Sequence, residues 1–192
     1  MNGVFRWADA LIYFGSEIND HAQALSQARQ TTYGLLVCRS APDGEARLAS
    51  CNGEHAEERL VRTPLWREQI DGALANWDMR DTPMVVMLAL NRSPCANCSQ
   101  VLAGALHSLH NKYALRCERQ HFVLASLGYY QGRNFMAEES APNRSSTPSR
   151  TVTTDRGLRI LREAGWKLCV LDFGQGLTHR GAELHEYLSH ID

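Results

Sequence analysis

The amino-acid sequence predicts an α/β fold with a five-stranded mixed sheet flanked by helices. Two short apolar runs, 84–90 and 122–127, are typical of buried strands, and residues 166–173 predict a further strand. Helical patterns separate these runs, which indicates parallel neighbours. An earlier pair of strand-like segments joined by a turn supplies the antiparallel part of the sheet.

The N-terminal segment predicts one or two helices. Apolar residues recur every three or four positions over 4–29, with an interruption at Gly15-Ser16. Residues 1–30 are therefore expected to form a helical extension that packs on the core of the fold.

A β-hairpin is expected next. Residues 31–39 and 45–51 are rich in strand formers. Ala41-Pro42-Asp43-Gly44 between them is a turn sequence, because proline presets φ and glycine permits a positive φ.

Helices are expected on both sides of the first apolar run. One begins near His55, breaks at Thr63-Pro64 and resumes over 65–77. The other follows Pro94 and spans 95–110, where apolar residues keep helical spacing.

The C-terminal part of the sequence predicts a crossover between parallel strands. Residues 133–154 are polar and rich in Ser, Pro and Asn, which indicates a long loop. A helix over 155–164 then joins the strands at 122–127 and 166–173, so these last two strands are parallel. A further helix is expected over 181–191.

The composition is that of a globular chain, with 44% hydrophobic and 21% charged residues. The longest clean apolar run has seven residues, far short of the roughly 20 that span a bilayer, and no signal peptide is evident. We expect one domain over 1–192, with its core at 31–173 and a terminal helix within 174–192. We also expect a soluble monomer that acts in the cytoplasm without a membrane partner; export without a signal peptide stays open.

Charge is distributed unevenly along the chain. The net charge of −1 gives no overall attraction to nucleic acid. However, residues 112–162 contain nine Lys or Arg and four acids, which is a net +5 and leaves −6 elsewhere. Such an asymmetry can steer an anionic ligand to one face, although a set of solvated arginines is the plainer interpretation.

A metal site is predicted by His55-Ala56-Glu57 together with Ser93-Pro94-Cys95-Ala96-Asn97-Cys98. The two cysteines are three residues apart at a helix start, so they share a face, and the helix N–H groups there favour thiolates. With the histidine they offer three ligands to Zn²⁺ and leave a fourth position for water, as in catalytic zinc sites. A P-C-x-x-C sequence is expected by chance roughly 0.006 times in a chain of this composition.

Glu57 is the candidate proton carrier of this site. Two residues apart on a regular helix, His55 and Glu57 would point in different directions. Both can reach a metal-bound water if His55 lies on the first, half-formed turn, and Glu57 would then act as a general acid–base.

The order H-A-E, then P-C-x-x-C forty residues later, resembles the signature of the zinc-dependent nucleobase deaminases. The order of elements over 31–173 is similar as well, which implies a cytidine deaminase-like three-layer sandwich. The parallel last strands resemble the AID/APOBEC, tRNA-deaminase and bacterial toxin-deaminase branches, whereas free-nucleoside cytidine deaminases join those strands as a hairpin. Ser93-Pro94-Cys95 resembles the S-P-C of AID/APOBEC enzymes, but Arg92 replaces the aromatic residue that precedes it there.

The resemblance implies hydrolysis of cytosine to uracil in single-stranded nucleic acid, with DNA favoured over RNA and an immunity protein as partner if the protein is a toxin. It implies zinc ligation by His55, Cys95 and Cys98, and proton transfer by Glu57. The substrate contacts that it suggests are Asn52, Ala56, Ser93, Pro94, Tyr129, Tyr130 and Arg133. Aromatic residues beside an arginine suit base stacking.

Three alternatives remain open at this stage. The substrate could be free cytidine, deoxycytidine or a nucleotide, or the target base could be adenine, because pocket shape rather than the zinc motif selects the base. A non-catalytic zinc-stabilised binding module would need a fourth protein ligand, such as Cys51 or Cys117.

Overall fold

The computed structural model describes residues 3–27, 31–39, 46–53, 55–75, 83–113, 119–130 and 148–191, with only the backbone described for 75 and 148–153. The strands within these ranges are β1 (Val4–Arg6), β2 (Thr32–Arg39), β3 (Arg47–Gly53), β4 (Met84–Leu90), β5 (Gln120–Ser126) and β6 (Lys167–Asp172). The helices are α1 (Trp7–Phe14), a 3₁₀ helix (Ser16–His21), α2 (Ala22–Gln27), α3 (Ala56–Arg62), α4 (Pro64–Ala75), α5 (Ala96–Tyr113), α6 (Pro148–Glu163) and α7 (His179–His190).

The strands form one mixed sheet in the order β1-β6-β5-β4-β2-β3. β2 is antiparallel to both β3 and β4, whereas β4, β5, β6 and β1 run parallel to one another. The structure therefore confirms the α/β class, the hairpin and the parallel pairing of β5 with β6.

The predicted strand number of five is wrong for the described residues, which contain six strands. Residues 4–6 were expected to begin a helix, but they form β1 and pair in parallel with residues 170–172. Three residues are too few to show a strand period. Their conformation is set by pairing with a strand more than 160 positions away, and local sequence patterns cannot reveal that pairing.

The helix before β6 is longer than predicted. Residues 148–154 were expected to belong to the loop, but α6 begins at Pro148. Proline is well placed at a first helical position, since the N–H that it lacks would have no partner within the helix. The β-branched and hydroxyl residues that follow are poor helix formers, which is why the sequence suggested a loop. The rest of that predicted loop, 133–147, lies outside the described residues.

Helices cover both faces of the sheet, and a hydrophobic core lies on each face. Alternate residues of β4 belong to one core or to the other. Met84, Val86, Leu88 and Leu90 pack on the face covered by α3, α4, α5, α6 and α7. Met87 and Ala89 pack on the opposite face against α1, the 3₁₀ helix and α2. This alternation explains the continuous apolar run in the sequence, because a strand between two helical layers has no solvent face.

Several chain segments meet at one edge of the sheet. Leu90 at the carboxyl end of β4 pairs with Gly34 near the start of β2 and with Ser126 at the carboxyl end of β5. The end of β3 lies there as well, because Thr32 pairs with Gly53. In open α/β sheets, the crevice at the carboxyl ends of the parallel strands is the usual place for a binding site.

The close approach of α6 to α5 depends on Gly157. A Cβ atom at this position would lie 2.7 Å from Ser99 Oγ and 3.2 Å from the backbone Cα of Ala96, at the start of α5. We expect Gly157→Ala to lower the free energy of unfolding by about 1–3 kcal/mol, because the helices must separate. Urea denaturation followed by circular dichroism measures this change.

Gly104 provides a matched control on α5. A Cβ atom there meets nothing within 4 Å. Gly104→Ala should therefore raise the free energy of unfolding by about 0.4–1 kcal/mol through the lost flexibility of the unfolded chain. Equal effects of the two substitutions would contradict close packing at Gly157.

Candidate metal centre

His55 precedes α3 in a backbone conformation that removes its side chain from the helix. Its φ of 60° and ψ of 48° are left-handed, and no other non-glycine residue among those described has a positive φ. Its carbonyl oxygen accepts a hydrogen bond from Arg59 N at 3.1 Å, so the helix begins immediately after it. Because His55 lies outside the regular helix, the two-residue spacing to Glu57 does not force the side chains apart.

The cysteines occupy the start of α5. The carbonyl of Cys95 accepts a hydrogen bond from Ser99 N at 2.9 Å, and α5 begins at Ala96. Cys98 lies in the first turn and is 1% exposed, whereas Cys95 is half-buried. Both cysteines therefore lie at a helix start, where backbone N–H groups favour anionic sulfur.

The structure brings the three predicted ligands together. The donor atoms of His55, Cys95 and Cys98 all lie within 4.8 Å of one another. His55 Nδ1 is 3.3 Å from Cys98 Sγ and 3.7 Å from Cys95 Sγ. Tetrahedral zinc with a Zn–S bond of ~2.3 Å and a Zn–N bond of ~2.05 Å places nitrogen and sulfur about 3.6 Å apart. The donor set and its spacing therefore fit zinc.

The two thiols influence each other strongly. A hydrogen bond from Cys98, aided by nearby backbone N–H groups and by His55, lowers the pKa of Cys95 to about 5 against the opposing effect of burial. The same shared hydrogen bond, together with burial, raises the pKa of Cys98. One thiolate thus forms readily within the pair, and a cation would favour the second.

Glu57 is buried beside the three donors. It is 2% exposed, and its Oε2 has no hydrogen-bond partner among the described residues. Burial raises the pKa of its carboxyl to about 7. A hydrogen bond from its own backbone N–H opposes this, as do the charges of His55 and Arg92, whereas the Cys95 charge adds to it. The described residues therefore place a buried carboxyl oxygen without a hydrogen-bond partner beside three donors that could hold a metal ion.

Buried hydrogen bonds hold the loop that carries Cys95. Ser93 is buried, and its backbone N–H donates to the carbonyl of Gly128 at 2.7 Å. Its hydroxyl accepts a hydrogen bond from Tyr130 N at 2.8 Å. Pro94 is buried next to it. The segments that follow β4 and β5 are therefore fixed to each other two residues before Cys95.

Replacing Ser93 tests this connection. We expect Ser93→Ala to lower the free energy of unfolding by about 1–3 kcal/mol, because the part-buried N–H of Tyr130 loses its acceptor. The urea midpoint should fall with an unchanged slope. Ser108→Ala is the control, since that hydroxyl donates to Gly104 O on an exposed helix face and its loss should cost less than about 0.5 kcal/mol.

The two tyrosines predicted to stack on a base have different surroundings. Tyr129 is 8% exposed, its hydroxyl donates to Asp155 Oδ1, and its ring packs on Tyr187 with centroids 6.2 Å apart. This burial argues against base stacking by Tyr129 and favours a packing role. Tyr130 is only partly buried and stays a candidate contact, while Arg133 lies outside the described residues.

The other predicted substrate contacts lie around the same edge of the sheet, which the carboxyl ends of β4 and β5 form. Ala56 is fully buried at the start of α3, against Gly34 of β2. Asn52 is exposed at the end of β3, where its Oδ1 accepts a hydrogen bond from the Thr31 hydroxyl at 2.7 Å. Among the described residues Cys51 is not part of the donor group, and Cys117 lies outside them.

Sequence reasoning did not find Asn91, which joins β2 to the loop after β4. Its Nδ2 donates to Thr31 O at 3.0 Å, and its Oδ1 accepts from Tyr33 N at 2.8 Å. A polar residue directly after a buried strand and before Ser93-Pro94-Cys95 was the available signal.

The fold and the site define an α/β protein with a histidine–cysteine–cysteine group that could hold a metal ion. A search of protein-family models finds no match for the chain, and no curated protein matches it either. None of the helices described is long and apolar enough to cross a membrane.

Proposed function

We propose that the protein is a zinc-dependent deaminase that converts cytosine to uracil in single-stranded nucleic acid, with DNA favoured over RNA. One observation carries the proposal: three zinc-type donors within 4.8 Å of one another lie beside a buried carboxyl oxygen with no partner among the described residues. A structural zinc site usually has four protein ligands and no such carboxyl group.

The three donor residues and Glu57 have separate roles in the proposed reaction. His55, Cys95 and Cys98 would hold zinc, which when bound supplies a Lewis acid that lowers the pKa of a water molecule. Glu57 would accept a proton as this water adds to C4 of the base, and would deliver it to the amino nitrogen. Cytosine and water thereby yield uracil and ammonia.

The preference for a nucleic-acid strand has two supports. The parallel pairing of β5 with β6 resembles the deaminase branches that act on polynucleotides. The basic part of the sequence includes Arg156 and Arg159, both exposed on α6, and α6 packs against α5, which carries Cys98. Exposed cations on this helix favour a polyanionic substrate.

Direct assay of the zinc-loaded protein tests the reaction and the substrate class together. We expect uracil to form in a single-stranded DNA oligonucleotide with one cytosine, and more slowly in the matched RNA. Cytidine and deoxycytidine should react poorly. Turnover of free nucleosides alone, or of a matched adenine oligonucleotide alone, would overturn the stated substrate. Full zinc content with no turnover of any substrate would favour a binding module.

Expression in bacterial cells gives an independent test. Sequencing of DNA and RNA should show C-to-T changes in DNA, with growth inhibition if the protein acts as a toxin. Changes confined to RNA would show that RNA, and not DNA, is the preferred substrate.

A further inference from the structure

A cluster of two tyrosines and an aspartate joins the segment after β5 to α6 and α7. The Tyr129 hydroxyl donates to Asp155 Oδ1 on α6, and the Tyr187 hydroxyl on α7 donates to the backbone carbonyl of Asp155 at 3.0 Å. The two tyrosine rings pack edge to face. Burial, together with the hydrogen bond to Asp155, raises the pKa of Tyr129, so its hydroxyl keeps its proton and remains a donor.

The segment that contains Tyr129 is also bound to the loop after β4. Tyr130 N donates to Ser93 Oγ at 2.8 Å, and Ser93 N donates to Gly128 O at 2.7 Å. The hydroxyl of Thr154 on α6 donates to Tyr130 O at 3.4 Å. Contacts from α6 therefore hold the segment after β5, and this segment in turn holds the loop after β4.

The position of Ser93 restricts the position of Cys95, because only Pro94 separates them. Pro94 is buried, and its ring fixes φ at about −65°. Cys95 precedes α5 and is half-buried, whereas Cys98 lies within the first turn of α5 and is almost fully buried. Of the two cysteine donors, Cys95 is therefore the one whose position depends more on its loop.

We propose that Asp155 is a positioning residue for the metal centre. It acts through the segment after β5 and the loop after β4 to keep Cys95 in place as a ligand. Hydrogen bonds to a carboxylate are roughly twice as strong as those between neutral groups, so the Asp155 contact holds Tyr129 more firmly than ring packing alone would. The inference rests on the metal binding of the proposed function and not on its reaction.

Cobalt binding to the full chain tests the inference without turnover. Co²⁺ can occupy a tetrahedral zinc site, and its visible absorption depends on its ligands. Groups that orient metal ligands contribute roughly 10- to 100-fold to metal affinity. Tyr129→Phe and Asp155→Ala should each weaken Co²⁺ binding about tenfold, the lower end of that range, because the contact is indirect. Each should also reduce the sulfur-to-cobalt absorption, since Cys95 is held less well. The double variant should bind no more weakly than either single variant, because both remove one hydrogen bond.

Two further variants separate positioning from stability. Asp155→Asn keeps a carbonyl oxygen that can accept a hydrogen bond from Tyr129, but without the charge. Its loss of Co²⁺ affinity should be about threefold, half of the tenfold loss on a logarithmic scale. Tyr187→Phe is the matched control, since it removes a tyrosine hydroxyl from the same cluster and leaves the Tyr129–Asp155 hydrogen bond. It should lower the urea midpoint and leave the Co²⁺ affinity and spectrum unchanged.

The outcomes distinguish this inference from the proposed function. Unchanged Co²⁺ affinity in Tyr129→Phe, which loses a single oxygen atom, would overturn the positioning role even if Asp155→Ala does not fold. Equal weakening by Tyr187→Phe would overturn it as well, because affinity would then follow stability. Tenfold weaker binding in the Tyr129 variant, with no deamination by the parent protein, supports the positioning role and overturns the reaction. A parent protein that binds no Co²⁺ would overturn both.

Discussion

Replacing Glu57 with glutamine is expected to lower the rate of turnover by roughly 10²- to 10⁴-fold while zinc remains bound. Glutamine has nearly the same shape, but its amide cannot take a proton from water and return it to the leaving nitrogen. General acid–base groups contribute roughly 10²- to 10⁴-fold to rate, so a loss of this size is expected. The measurements are uracil release from an oligonucleotide and zinc content of the same preparation.

Glu58 provides the matched control for this substitution. It is the next residue on α3, carries the same functional group, and pairs with Arg62 at 2.6 Å. Glu58→Gln should therefore change the rate by less than about threefold. Full activity of Glu57→Gln would remove its assigned role, and simultaneous loss of zinc and activity would make Glu57 a structural support of the ligands.

The predictions that held depend on local chemistry. The β4 run could be recognised because a strand between two helical layers is apolar at every position, and the hairpin because its turn has a distinctive composition. Zinc needs soft donors at fixed spacings, so the P-C-x-x-C sequence and a distant histidine were sufficient to predict a group that the fold does assemble.

The features that the sequence did not reveal depend on contacts between distant parts of the chain. β1 is a strand because β6 offers it an edge, and the conformation of three residues cannot show this. Tyr129 and Tyr130 are adjacent and chemically alike, yet only the packing of α6 and α7 determines that the first is buried. The contacts of Arg92 with Thr31 join segments about sixty positions apart, so no motif marks them.

The backbone conformation of His55 shows how local structure lets two residues of one sequence motif reach the same site. The motif required both His55 and Glu57 to reach one centre, although a regular helix separates positions two residues apart. The left-handed backbone at His55 resolves this conflict. Non-glycine residues adopt such a conformation at some energetic cost, and strain of this kind is found preferentially at functional sites. Metal binding would help to offset that cost.

Removal of zinc is therefore expected to lower the thermal stability of the protein substantially. The ligands come from two separate helix starts, so the ion can bind tightly only when the core between α3 and α5 is folded. A ligand at 1,000 times its dissociation constant stabilises the folded state by ~4 kcal/mol. For a chain of this size, that free energy corresponds to a midpoint about 8–16 °C higher than in the chelated protein.

Two cysteine variants separate the effect of the metal from the effect of packing. Cys98→Ala should bring the zinc-loaded and chelated melting midpoints together, because the ligand is lost. Cys38 is equally buried but packs on the core away from the donors, so Cys38→Ala should lower both midpoints and keep their difference. The difference between loaded and chelated protein thus measures ligation alone. A difference that survives Cys98→Ala would place the stabilising ion elsewhere and remove the basis for catalytic zinc at this centre.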